Sequence, residues 1–453
     1  MIKVRRMLIE EDFCKQVRKF IFPLEVSRNI WLTDDKLILE YPLRFNDLRN
    51  IGEAVVFSLL PIAYCEGSNI ELPKKLTIEE GAQERINNIC CIWNKWFYRN
   101  RKVKIFASKI NPASSPYRKR YEAQLFSGGV DSLTTFKRNR ERINYLLLYK
   151  GADVPITRPK LFEKIKDYIE EFAREYDKEL IVLSSNIHYL GSASWEYVAH
   201  GCALLGPILA LSNYINKIYI PATHSGECGK RIRLGSHPYT DPLVRVDGVE
   251  VIHDGFELKS PEKLAFLSKE PELLKRLRVC GNMAFLDKNV DKIKEGYNCG
   301  CCEKCYYTLM ILLILRISPD ILPFPKGSLS LFDICEFLQS YNFKSIPNQE
   351  EGWKIEWAEG LEFLERNITS SDIKGAEELR AILKDILGNF YYKYKNNFPK
   401  GITIEYIDRW RKLERRLHLK LDSLQWLKEF IRWFRGRRYR NFVKKYGYLT
   451  KVR

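Results

Sequence analysis

At 453 residues and 53.4 kDa the chain is too long for one ordinary hydrophobic core, so two or three domains are expected. An apolar content of 45% beside 29% charged residues excludes a wholly disordered chain, and the most apolar run, residues 309–315, is too short to cross a bilayer. More than half of the net charge of +18 lies in residues 405–453, which carry 16 Lys/Arg against 5 Asp/Glu.

The start, Met1-Ile2-Lys3-Val4-Arg5-Arg6, has no signal-peptide pattern, and a cytoplasmic protein is expected. There the 12 cysteines would be reduced thiols or metal ligands. Residues 1–110 read as an α+β accessory domain. It has β-like runs at 31–33 and 36–41, helices over 46–63 and 77–97, and an apolar alternation at 103–106. Nothing in it has catalytic spacing, and Cys90-Cys91 in mid-helix reads as core. The run Asn111-Pro112-Ala113-Ser114-Ser115-Pro116 marks a linker.

The strongest signal follows. A short apolar run ends at Leu125-Phe126, and Ser127-Gly128-Gly129-Val130-Asp131-Ser132 leads into an amphipathic run from Leu133. Strand, glycine-rich turn and helix start bring free amide donors and the positive end of a helix dipole to one point, which suits an anion. Glycines 128 and 129 admit a phosphate close to the main chain, and Ser127 and Ser132 add hydroxyls. A carboxylate at Asp131 beside a phosphate makes sense if it holds Mg²⁺. The stretch has neither the Gly-Lys-Ser/Thr ending of a Walker P-loop nor the dinucleotide fingerprint. It resembles the PP-loop of the ATP pyrophosphatase superfamily, whose members cleave ATP between the α and β phosphates and activate a substrate as its adenylate.

Downstream, strands at 145–149, 180–183 and 218–220 alternate with helices at 157–176 and 194–214. This pattern predicts an α/β fold with a doubly wound parallel sheet over 118–317, with ligands at the carboxyl ends of the strands. Asp153, Ser184-Ser185-Asn186 and Ala222-Thr223-His224-Ser225 follow successive strands and are candidates to line that crevice. So is the loop from Gly235 to Asp241. His200, inside a helix, reads as a core histidine, whereas His224 and His237 lie on loops beside the presumed site.

The second strong signal is Cys299-Gly-Cys301-Cys302-Glu-Lys-Cys305, preceded by Cys280. Four thiolates at Cys280, Cys299, Cys302 and Cys305 suit a structural tetrahedral Zn²⁺, with Cys301 surplus; an iron–sulfur cluster is the alternative. The order of the two motifs resembles the 7-cyano-7-deazaguanine synthase (QueC) family, over about residues 121–315. That resemblance implies that Ser127, Gly128, Gly129, Val130, Asp131 and Ser132 bind ATP and Mg²⁺, with Asp131 and Ser132 catalytic. It implies Zn²⁺ on the four cysteines and a deazaguanine substrate near His224, Ser236, Tyr239 and Asp241.

The two added segments, 1–110 and 318–453, make the chain similar to enlarged QueC-like proteins of bacterial anti-phage systems (the Qat and type IV CBASS kinds). There the activated 7-carboxy-7-deazaguanine is implied to join an amine on a partner protein. The alternatives are a biosynthetic nitrile synthase using ammonia, a tRNA-modifying enzyme, and a non-catalytic ATP-binding scaffold. Residues 318–453 read as a helical region that covers the sheet edge and binds a partner. Its basic tail carries Trp410, Trp426, Trp433, Tyr439 and Tyr446, and reads either as a helical hairpin or as a nucleic-acid contact.

Overall fold

The computed structural model describes residues 1–396 apart from 28–29, 31, 111–120, 192, 225–232, 292–295, 325–329, 341–349 and 369–372; the expected linker and the basic tail lie outside the described residues. The chain opens with strands β1 (Ile2–Val4), β2 (Leu8–Asp12), β3 (Val17–Val26) and β4 (Lys36–Pro42), then helix α1 (Ile51–Glu66). Short strands β5 (Ile70–Glu71) and β6 (Thr77–Glu79) precede helix α2 (Ala82–Phe97), and β7 (Ile105–Phe106) and β8 (Ser108–Ile110) follow it. The helix expected over 77–97 therefore begins five residues late, because Thr77–Glu79 pairs with β8.

From Tyr121 strands and helices alternate: β9 (Tyr121–Leu125), α3 (Val130–Asn139), β10 (Ile143–Lys150), α4 (Pro159–Glu175) and β11 (Glu179–Ser185). Helix α5 (His200–Ile208), β12 (Ile215–Pro221) and β13 (Glu250–Asp254) complete this part. The long helix expected over 194–214 is broken into a π-helical turn, Trp195–Ala199, then α5, then a 3₁₀ turn, Leu209–Leu211. Pro207 contributes to the break, since it lacks the N–H that would continue the ladder.

The strands join an 11-stranded sheet ordered β13-β12-β9-β10-β11-β4-β3-β1-β5-β7, with β2 on β3. Strands β9 to β13 are mutually parallel. Counted from β9, their order is 3-2-1-4-5, which reverses between the first and fourth strands and leaves a crevice at their carboxyl ends. The N-terminal strands extend the same sheet through the antiparallel pair β11–β4. Asn186 secures that junction, its side chain accepting from the Ile38 amide at 2.9 Å and donating to the Lys36 carbonyl at 2.9 Å.

Side chains alternate between two cores, as the pleat requires. Leu147, Ile181, Leu183, Ile218 and Ile220 face α1, α2 and α5, while Leu146, Leu148 and Tyr219 face α3, α4 and the later helices. Gly206 lets α5 approach the backbone of α1, where a Cβ would lie 2.9 Å from the Ser58 amide nitrogen.

The remaining helices are α6 (Ser260–Leu267), α7 (Pro271–Leu274), α8 (Met283–Lys288), α9 (Glu303–Ile314), α10 (Leu331–Ser340), α11 (Glu350–Asn367), α12 (Ala376–Leu387) and α13 (Asn389–Asn396). They form a helical layer on the second core, so this is a mixed α/β fold with a large, mostly parallel sheet. No helix among the described residues is long and apolar enough to cross a membrane. α11 lies closely on α9: a Cβ at Gly360 would sit 2.6 Å from Met310 and 3.1 Å from the Tyr307 ring. Gly360→Val should therefore lower unfolding free energy by about 1–3 kcal/mol, measured by urea denaturation.

Candidate functional site

The turn between β9 and α3 opens at the switch point of the sheet. Gly128 takes a positive φ of 78°, which a residue with a Cβ adopts only with strain, and the chain then enters α3 through an extended Gly129. Three side chains absent from the sequence motif hold this turn. Arg278, buried, donates through its backbone N–H to the Gly128 carbonyl at 2.8 Å and through Nε to the Ser127 carbonyl at 2.8 Å. Gln124, fully buried, donates to the Ser132 carbonyl at 2.6 Å and braces the first turn of α3. Lys263, only 1% exposed, pairs with Asp131 Oδ1 at 2.7 Å and donates to the Ala222 carbonyl.

A cavity of about 460 Å³ lies in front of the turn, within the usual size range of small-molecule sites. Ser127, Gly129, Val130, Asp131 and Ser132 line it; Gly128 packs behind them against Arg278. Leu147, Asp153, Ile220 and Thr223, from the ends of β10 and β12, add further wall, and Trp195 and His200 close one side. Lys304 and Glu356 come from the helical layer. The cavity thus joins amide donors and cations to three carboxylates, Asp131, Asp153 and Glu356, the composition expected of a site for a charged ligand.

Asp131 carries one oxygen committed to Lys263, while Oδ2 has no protein donor among the described residues. That free oxygen fits a bound cation, with the Lys263 ammonium alongside as a fixed positive charge. Ser132 Oγ donates to the Gly129 carbonyl at 3.0 Å and stays within the wall. The Ser127 hydroxyl oxygen lies 3.4 Å from the Gly129 amide, a long contact that leaves the hydroxyl proton unused.

The residues expected to hold a deazaguanine base are placed differently. Ser236, Tyr239 and Asp241 do not line this cavity. Asp241 is fully buried; its Oδ2 accepts from Ser236 Oγ at 2.7 Å and lies 2.8 Å from His253 Nδ1, while Oδ1 has no hydrogen-bond partner among the described residues. Tyr239 is exposed. His224 follows Thr223 at the cavity edge; burial pushes its imidazole down to about 4, Asp131 pulling the other way, so it is neutral at pH 7. His200, read as a core histidine, instead reaches the wall and contacts the Trp195 ring at a centroid distance of 5.1 Å. Trp195 sits in the π-helical turn, whose register the apolar pattern did not reveal.

Behind the cavity the thiols of Cys280, Cys299, Cys302 and Cys305 lie within 4.8 Å of one another, and Cys301 is exposed. Closest sulfur pairs measure 3.5 to 3.9 Å. Corners of a tetrahedron with bonds of ~2.3 Å are about 3.8 Å apart, so the four could hold a metal ion with little rearrangement. The cluster is joined to the turn through the chain: Arg278 lies two residues before Cys280, and Lys304 between Cys302 and Cys305. Buried Asn298 reinforces the link by accepting from the amides of Val279 and Cys280 at 2.8 and 3.1 Å.

Replacement of Gly128 by alanine should cost about 1–3 kcal/mol of unfolding free energy through its positive φ, measured by denaturant titration against a Gly81→Ala control. In comparisons with known proteins, no family pattern, no curated protein and no solved structure matches this chain.

Proposed function

We propose that this protein is an ATP-dependent ligase of the PP-loop type. It adenylates a carboxylate of the 7-carboxy-7-deazaguanine class and passes the acyl group to an amine on a partner protein. The observation that carries this reading is the Ser127–Ser132 turn at the carboxyl end of β9, braced by Arg278 and opening onto a cavity that also holds Lys304.

A carboxylate is a poor electrophile. Attack of its oxygen on the α-phosphorus of ATP breaks the bond to the β-phosphate and releases pyrophosphate, leaving an acyl adenylate. The turn's amides and the N-terminus of α3 suit phosphate oxygens, and Lys304 and Arg278 in the cavity wall supply positive charge for departing pyrophosphate. Mg²⁺, held by Asp131 Oδ2, would add neutralising charge to the phosphates. An amine then attacks the acyl carbon and AMP leaves. No side-chain nucleophile is needed for this chemistry.

The four clustered cysteines are read as a structural zinc site, since four thiolates leave no position open for a reactive water. Zinc there would lock Arg278 and Lys304 in register with the turn. A protein amine is favoured over ammonia by Glu356, a residue of the C-terminal addition that reaches the cavity wall. In that reading the addition presents the acceptor.

Metal analysis of the purified protein should give about one zinc per chain, and Cys299→Ser should lose it together with several degrees of melting temperature. Incubation with ATP and 7-carboxy-7-deazaguanine should release pyrophosphate only when both are present. Asp131→Asn and Ser127→Ala should each slow that release by about 10²-fold or more. Turnover at the parent rate in both variants would overturn the proposal, as would nucleotide binding without pyrophosphate release in the parent, the outcome expected of a scaffold.

A further inference from the structure

We infer that Glu356 is the catalytic base of the transfer step, binding the incoming amine at the cavity wall and taking a proton from it as the new C–N bond forms. The inference rests on the adenylating reading above.

Helix α11 is fixed over the cavity on several sides. Ile355, Trp357, Ala358, Leu361 and Leu364 are buried in the second core. Trp357 Nε1 donates to Glu303 Oε1 at 3.1 Å, and Gly360 brings the helix against α9. Toward α6, Glu359 accepts from the Ser260 amide at 3.3 Å, and Glu362 pairs with Lys259. Each of these neighbouring carboxylates has a structural partner. Glu356 has no hydrogen-bond partner among the described residues, and its side chain enters the wall that Ser127, Asp131 and Lys304 also form.

Burial pushes its carboxyl up to about 8, with the Glu303 charge acting in the same direction and Lys304 against it. At pH 7 the group is therefore mostly the neutral acid, and an ammonium ion arriving beside it favours the carboxylate. An aliphatic amine reaches the site mainly as an ammonium ion, which is no nucleophile. Beside that ion Glu356 ionises more readily, and its carboxylate can then accept one of the amine's protons. The nitrogen lone pair then attacks the acyl carbon, the bond to the AMP phosphate oxygen breaks, and the proton displaced from nitrogen passes to Glu356. An ammonium ion loses two protons on becoming the amide, one to solvent before the attack and one to Glu356 during it, so the products are the amide, AMP and two protons.

The test compares nucleophiles in the full-length protein supplied with ATP and 7-carboxy-7-deazaguanine. Hydroxylamine is neutral at pH 7 and needs little help from a base, whereas Nα-acetyl-lysine and ammonium do. In Glu356→Gln, amide formation from Nα-acetyl-lysine or ammonium should fall about 10²-fold relative to hydroxamate formation. Glu362→Gln, on the same helix but outside the cavity wall, should keep the parent's ratio. If Glu356→Gln also keeps the parent's ratio, the inference fails while the adenylating reading stands. If the parent forms neither hydroxamate nor amide, that reading fails and takes this inference with it.

Discussion

An ammonium group that water scarcely reaches holds the crevice together. Lys263 is 1% exposed, and removing a lysine charge from water costs several kcal/mol unless partners replace the lost hydration. Its two replacements come from different strands' ends: the Asp131 carboxylate at the start of α3 and the Ala222 carbonyl just after β12. These flank the point at which the sheet order reverses, where no ladder of hydrogen bonds joins the diverging connections. A single buried cation thereby ties the Ser127–Ser132 turn to the opposite lip. Removing one partner of such a pair leaves a buried charge uncompensated, so the arrangement is stiff as well as specific.

The same logic extends outward through the thiol cluster. Arg278 grips the turn by two carbonyls, and its own backbone is positioned by Asn298 through the next two amides. Cys280 follows immediately, and Cys299 to Cys305 bring the start of α9 to the same place. A metal bound to those thiols would act at a distance of a few residues on both the rear of the turn and the Lys304 side of the cavity. The thiol cluster and the Ser127–Ser132 turn are in that sense one unit.

Much of this was legible in sequence because local chemistry dictated it. Ser127 to Ser132 needed glycine at 128 for a positive φ, and the Cys-x-x-Cys spacing brought thiols to one corner. The alternation of apolar runs gave four of the five parallel strands. The fifth, β13, reads Glu250-Val-Ile-His-Asp254, too short and polar to stand out beside its loops. Lys263, Arg278 and Gln124 were not legible. Each looks like an ordinary polar residue of a helix, loop or strand, and only the tertiary fold buries it beneath the turn. Asp241 failed in the opposite way: its loop setting suggested a ligand contact, yet long-range pairing with His253 on β13 draws it into the interior.

The two additions stand in different physical relations to the site. The N-terminal strands attach through β4 to β11, on the side of the sheet remote from the switch point, and their helices α1 and α2 fill the first core. Helix α1 also packs on α5, which carries His200 and Leu204 to the cavity wall. The C-terminal helices pack on the second core, the one shared with α3 and the cysteine-bearing α9, and α11 carries a carboxylate to the cavity wall. An ionisable group in that position changes the field inside the cavity whenever its protonation changes. The character of the cavity wall can therefore change through α11 without any change in the Ser127–Ser132 turn.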